Sequence, residues 1–141
     1  MIFSGLFSAK RTKPLVLHID DSSLIIAMTQ GIIAQLGMDG ISALDADSGI
    51  KLARERLPDL ILMDTMMPGK DGCQAVLELK TDEKTRGIPI IMLTGSDQIS
   101  SVEKALNHGA SAYLVKPVVM ERLKAKVDAV LKRAPEGPAA K

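Results

Sequence analysis

Four short runs of almost wholly apolar residues most constrain the fold of this 141-residue chain: Leu15 to Ile19, Leu60 to Met63, Ile90 to Leu93 and Tyr113 to Val115. A strand with one face in water alternates apolar and polar side chains. A run that is apolar at nearly every position has to be covered on both faces. That requirement points to a parallel sheet between two layers of helices. A weaker run, Ile41 to Leu44, supplies a fifth candidate strand. The segments between the runs repeat at helical spacing: Leu24, Met28, Ile32 and Leu36; Ile50, Ala53 and Leu57; Val102 and Leu106; and Leu123, Val127, Val130 and Leu131. Ser22, Asp47 and Asp71 are the expected N-caps, and Gly37 and Gly109 sit where left-handed C-caps belong. Five βα units follow, which specify an α/β domain with right-handed crossovers.

Composition narrows the function. At 46% hydrophobic and 25% charged residues the chain can bury a core, which excludes global disorder. A net charge of +1 leaves no strong field for nucleic acid, and no helix-turn-helix region is evident. No apolar run approaches bilayer length. The apolar start (Ile2, Phe3, Leu6, Phe7) precedes the positive charges of Lys10, Arg11 and Lys13 and is too short for a secretory signal. A single cysteine, Cys73, excludes an intrachain disulfide and any multi-cysteine metal site, and reads as a small buried hydrophobe. The expectation is a cytoplasmic protein with no transmembrane segment. Residues 1–13 form a leader, 14–133 the domain and 134–141 a Pro/Gly/Ala tail. The leader's apolar stripe reads as a frayed terminus or as a short docking helix.

In an open parallel sheet, ligands bind beyond the carboxyl ends of the strands. The first run ends in Asp20-Asp21, the third in Asp64, the fourth in Thr94 and the fifth in Lys116-Pro117. Three carboxylates, a hydroxyl and an ammonium therefore meet at one rim. Carboxylates that close repel unless a cation neutralises them. Oxygen ligands without a His or Cys cluster suit Mg²⁺ rather than Zn²⁺. A carboxylate beside two cations can attack phosphorus, because both stabilise the transferring phosphoryl group.

The set HIDDSS (18–23), DLILMDTMMPGKDG (59–72), IIMLTG (90–95) and GASAYLVKP (109–117) resembles the receiver domain of two-component response regulators, in its stand-alone, chemotaxis-regulator-like form. The likeness spans about residues 14–133. It implies a flavodoxin-like fold: a five-stranded parallel sheet of order 2-1-3-4-5 with helices on both faces. It also implies that Asp64 accepts a phosphoryl group from the phosphohistidine of a sensor histidine kinase or phosphotransfer protein. Asp21, Asp64 and the backbone carbonyl of Met66 then resemble direct Mg²⁺ ligands, with Asp20 acting through water. Lys116 resembles the lysine that pairs with the phosphate, and Lys116-Pro117 resembles a cis bond. Thr94 resembles the switch hydroxyl and Tyr113 the aromatic switch, although a half-buried aromatic can equally serve packing alone. A downstream effector would read the face of the fourth helix, fifth strand and fifth helix. Such a protein is no enzyme beyond accepting its own phosphoryl group and slowly losing it.

Two features bear on behaviour. Met66, two residues after Asp64, offers no acid or amide to orient an attacking water, and Ser96 lies two after Thr94; a long-lived phosphoryl state is expected. Ala112 stands where dimerising transcriptional receivers resemble an acid, so the unphosphorylated chain is expected to be monomeric. His18, in mid-strand where the family resembles an aliphatic residue, reads as a satisfied core histidine. Two other readings stay open. One is a phosphorylation-independent interaction module on the same fold. The other is an aspartate-nucleophile phosphatase, which would want a D-x-D after the first strand with its second Asp as acid/base.

Overall fold

A computed structural model describes residues 11–95 and 97–131. The chain alternates β1 (Leu15–Ile19), α1 (Ser23–Gln35), β2 (Asp39–Ala43), α2 (Ala46–Arg56), β3 (Leu60–Asp64), α3 (Gly72–Thr81), β4 (Ile90–Thr94), α4 (Ile99–Asn107), β5 (Ala112–Val115) and α5 (Met120–Leu131). All pairings are parallel, in the order β2-β1-β3-β4-β5. The five expected units are therefore present, and so is the sheet order implied by the resemblance.

Strand side chains alternate between two cores, as the pleat requires. Leu17, Ile19, Ile61, Met63, Ile90 and Met92 pack with residues of α2, α3 and α4, among them Ile50, Val76 and Ala105. Val16, Leu60, Leu62, Ile91 and Leu93 face the opposite way, onto Ile33, Leu123 and Val127 of α1 and α5. The three central strands are buried along their whole length, whereas β2 and β5 are partly exposed at the edges. Each fully buried Leu or Ile contributes about 1.5–3 kcal/mol, so β1, β3 and β4 fix the register that aligns the strand ends.

Several local expectations need correction. Leu24 and Met28 share a face of α1, but they are 68% and 61% exposed. The buried face is Ile26, Thr29 and Ile33. The cap of α2 is Asp45, whose carboxylate accepts from the Ser48 amide at 2.7 Å; Asp47 falls inside the first turn. Leu57 leaves the α2 stripe in a left-handed conformation at φ 46° and is exposed. Leu106 is also exposed, and Ala105 takes the buried position on α4. The expected caps at Ser22 and Asp71 are present, Asp71 forming a capping box with Gln74. Gly37 and Gly109 have φ of 82° and 116°. Cys73 is buried, its thiol beside the Ser101 carbonyl.

The leader's apolar stripe and the 134–141 tail lie outside the described residues. Arg11, at the leader's end, donates to the carbonyls of Arg56 and Leu57 at 2.9 and 2.7 Å. Among the described residues, no helix is long and apolar enough to cross a membrane.

Candidate functional site

The carboxyl ends of β1, β3 and β5 bring Asp20, Asp21, Asp64 and Lys116 together. Asp20, Asp21 and Asp64 each place a carboxylate oxygen within 4.8 Å of the others. Asp20 is fully buried, Asp64 is 4% exposed and Asp21 is open to solvent. Lys116 reaches over the pair, its Nζ 3.0 Å from Asp64 Oδ1 and 3.3 Å from Asp20 Oδ2. The Ser22 amide donates to Asp20 Oδ1 at 2.9 Å, while the Ser22 hydroxyl caps α1. The start of α1 and the orientation of Asp20 are thus set by the same turn. The Lys116-Pro117 peptide is cis, as the resemblance implies.

The electrostatics follow from burial and neighbours. Burial raises the Asp64 carboxyl; Lys116 offsets this in part, but the charges of Asp20 and Asp21 add to it, so the group lies above its ordinary value. Burial also opposes ionisation of Asp20, yet His18, the Ser22 amide and Lys116 outweigh it and hold that carboxyl low. Burial disfavours the Lys116 ammonium, but Asp64 and Asp20 overcome this and raise it. Two carboxylates with opposite shifts share one ammonium. Three oxygen donors this close, with one facing solvent, fit a hard divalent cation with open coordination positions.

The β3–α3 loop is held tightly behind Asp64. The Gly72 amide donates to the Thr65 carbonyl at 3.0 Å. A Cβ at Gly72 would stand 2.2 Å from the Asp64 carbonyl oxygen and 3.0 Å from Thr65 Cα, so only glycine fits there. Lys70 ties the loop to Asp47 and Glu78 at 2.7 and 2.5 Å. Met66 sits in this loop two residues past Asp64, with its side chain exposed.

Thr94 is fully buried at the end of β4, but its hydroxyl turns toward the Gly95 carbonyl at 3.1 Å. Asp64 pairs with Leu93, so Thr94 lies one residue further along its strand than Asp64 does. Tyr113 is 38% exposed, and the Lys126 ammonium lies 5.8 Å from its ring centroid. Its ring is therefore outside the core in this arrangement. Ser96 lies outside the described residues.

His18 departs from its expected reading. It is fully buried, yet neither ring nitrogen has a hydrogen-bond partner among the described residues. The Asp20 carboxylate is 3.5 Å away, a long contact in which the imidazole still favours the charged carboxylate. Sequence reasoning also missed Thr65 and Gln98, which contact Thr94 and each other. An apolar groove of about 330 Å³ lies beside the acids, lined by Ile25, Met28, Thr29, Ile32 and the 116–118 segment.

This geometry has counterparts. Residues 16–128 match the model of the response regulator receiver domain. Protein PilH of Pseudomonas aeruginosa is 36% identical over 116 residues, which cover 82% of this chain and 96% of PilH. The phosphate regulon transcriptional regulatory protein PhoB of Escherichia coli is also 36% identical, over 84% of this chain and 52% of PhoB. The chain thus spans about half the length of PhoB, but nearly all of PilH. Among solved structures, chemotaxis protein CheY4 of Vibrio cholerae superposes with a TM-score of 0.79 at 27% identity, covering 84% of this chain and 99% of CheY4. The receiver domain of the sensor histidine kinase PA1611 from Pseudomonas aeruginosa matches with a TM-score of 0.79 at 26% identity, over 86% of this chain and 99% of that domain. A magnesium ion is coordinated in the active site cleft of that structure. With the family model matching residues 16–128 and the relative PilH covered almost end to end, the chain belongs to the response regulator receiver domain family of two-component signalling.

Proposed function

We propose that Asp64 accepts a phosphoryl group from the phosphohistidine of a sensor histidine kinase or phosphotransfer protein. The observation that carries this reading is Lys116 Nζ at 3.0 Å from Asp64, inside a cluster of three carboxylates spanning 4.8 Å. The Asp64 carboxylate oxygen forms a bond to phosphorus as the bond from phosphorus to the donor imidazole nitrogen breaks. Negative charge builds on the phosphoryl oxygens, and the Lys116 ammonium is already placed to pair with it. Asp20, Asp21 and Asp64, with the Met66 backbone carbonyl, would hold Mg²⁺, which supplies further charge neutralisation during transfer. Burial and neighbouring acids make Asp64 costly to keep ionised, so the cationic partners at this rim, Lys116 among them, matter both before transfer and during it.

After transfer the Thr94 hydroxyl moves to a phosphoryl oxygen, and the exposed Tyr113 ring turns into the space vacated. The two events reshape the surface of α4, β5 and α5, which an effector protein reads. The donor must bring its histidine to this rim, where the exposed Met28 lines the apolar groove. The chain turns over no separate substrate, and it is monomeric before phosphorylation. The intact set of acids and lysine supports this reading over a phosphorylation-independent module. Met66, where a phosphatase would want its acid, supports it over hydrolysis.

The test is intact mass after incubation with acetyl phosphate, with and without Mg²⁺. A Mg²⁺-dependent gain of one phosphoryl group, absent in Asp64→Asn, supports the reading. A gain that survives in Asp64→Asn overturns it.

A further inference from the structure

Before Thr94 can bond a phosphoryl group on Asp64 it must leave its present partners, and these include a side chain with no role above. Gln98 occupies the N-cap position of α4, but its side chain makes no bond to the helix's first turn. Its Oε1 turns back to the end of β4 instead. There it accepts from the Thr65 hydroxyl at 2.8 Å and the Gly95 amide at 3.2 Å, and lies 3.4 Å from Thr94 Oγ1. Thr65 Oγ1 is itself 3.4 Å from Thr94 Oγ1, and the Gly95 carbonyl is 3.1 Å from it. One carboxamide oxygen therefore gathers Thr65, Gly95 and Thr94 around a buried point.

We propose that Gln98 is a positioning residue that latches the end of β4 in the unphosphorylated arrangement, acting through Thr94. The inference rests on the reading of Asp64 as phosphoacceptor. A hydroxyl has one hydrogen, so Thr94 donates either within this cluster or to a phosphoryl oxygen. Gln98 Oε1 is one acceptor there, and by taking the Thr65 hydrogen it leaves Thr65 Oγ1 as another beside the Gly95 carbonyl; these favour the first choice, and phosphorylation works against that preference. Removing its oxygen lowers the cost of the switched state while leaving Asp20, Asp21, Asp64 and Lys116 untouched. One net hydrogen bond lost from the resting state corresponds to about a two- to tenfold shift in that equilibrium.

The experiment titrates beryllofluoride, a phosphoryl analogue, into the full chain at saturating Mg²⁺ and reads the apparent Kd by calorimetry. Gln98→Met, similar in size without the amide acceptor, binds about two- to tenfold tighter, while its affinity for Mg²⁺ alone is unchanged. Thr65→Val, which removes the 2.8 Å tie that anchors Gln98, moves in the same direction. In a Thr94→Val background the gain from Gln98→Met disappears, because the latch has no hydroxyl to act on. Equal or weaker binding by Gln98→Met overturns the latch, and so does a gain that persists in Thr94→Val. Failure of the wild type to bind the analogue overturns the phosphoacceptor reading instead, which separates the two claims.

Discussion

Replacing Asp64 with Asn should stabilise the fold at the expense of its chemistry. Two carboxylates stand within 4.8 Å of Asp64, and at that distance each repels it by about 0.9 kcal/mol in water and about 3.5 kcal/mol at an effective dielectric near 20. The Lys116 ammonium at 3.0 Å attracts it by about 1.4 to 5.5 kcal/mol over the same range. Two repulsions slightly exceed one attraction, and the desolvation of a carboxylate only 4% exposed then tips the balance. The raised position of the Asp64 carboxyl has the same sign. Asn keeps an acceptor for Lys116, which retains Asp20 as its counter-ion. With a chelator present at pH 7, Asp64→Asn should gain about 1–2 kcal/mol in urea unfolding, or about 4 °C in Tm per kcal/mol.

The dependence on pH has a definite direction. A carboxyl raised in the folded state penalises folding fully above its folded value, and the penalty is relieved as pH falls through that value toward the unfolded one. The advantage of Asp64→Asn should therefore shrink on acidification. It should also shrink with Mg²⁺, which stabilises whichever protein binds it. A variant less stable than wild type in chelator, or an advantage indifferent to both pH and Mg²⁺, would refute the reasoning.

Two further substitutions probe the surroundings. Gly72→Ala puts a methyl group into backbone at 2.2 Å, so it should cost about 1–3 kcal/mol despite alanine's better helix propensity, and slow phosphoryl uptake; a stabilised variant in thermal unfolding would contradict this. Met66→Asn adds an amide two residues from the acceptor and should speed loss of the phosphoryl group by about tenfold, since an amide orients water but takes no proton. An unchanged decay, followed by intact mass, would mean that position 66 does not control the attacking water.

What the sequence made legible depended on burial. The β1, β3 and β4 runs are covered on both faces, so their composition alone marks them, and their last residues identify the rim. The edge strand β2 is exposed along most of its length, and its bounds at Asp39–Ala43 shift from the apolar run Ile41 to Leu44. On α1 the periodicity revealed a helix but not its inward face: Leu24 and Met28 remain outside, while the polar Thr29 is buried. Asp47 reads as the cap from the sequence, and only the backbone moves that role to Asp45. Gln98 gave no signal, because its place beside Thr94 comes from a side chain folding back across the β4–α4 turn. His18 was visible as an anomaly, but its lack of hydrogen-bond partners among the described residues depends on what surrounds it in three dimensions.

The central claim is that Asp64, rather than its acidic neighbours, carries the phosphoryl group. Borohydride reduces an acyl phosphate at the carbonyl carbon, leaving a permanent mass change on the residue that bore it. The protein should be incubated with acetyl phosphate and Mg²⁺, reduced, digested and mapped by tandem mass spectrometry. The account predicts that the change falls on Asp64 alone and needs Mg²⁺. A change located on Asp20 or Asp21, with Asp64 unmodified, would contradict it.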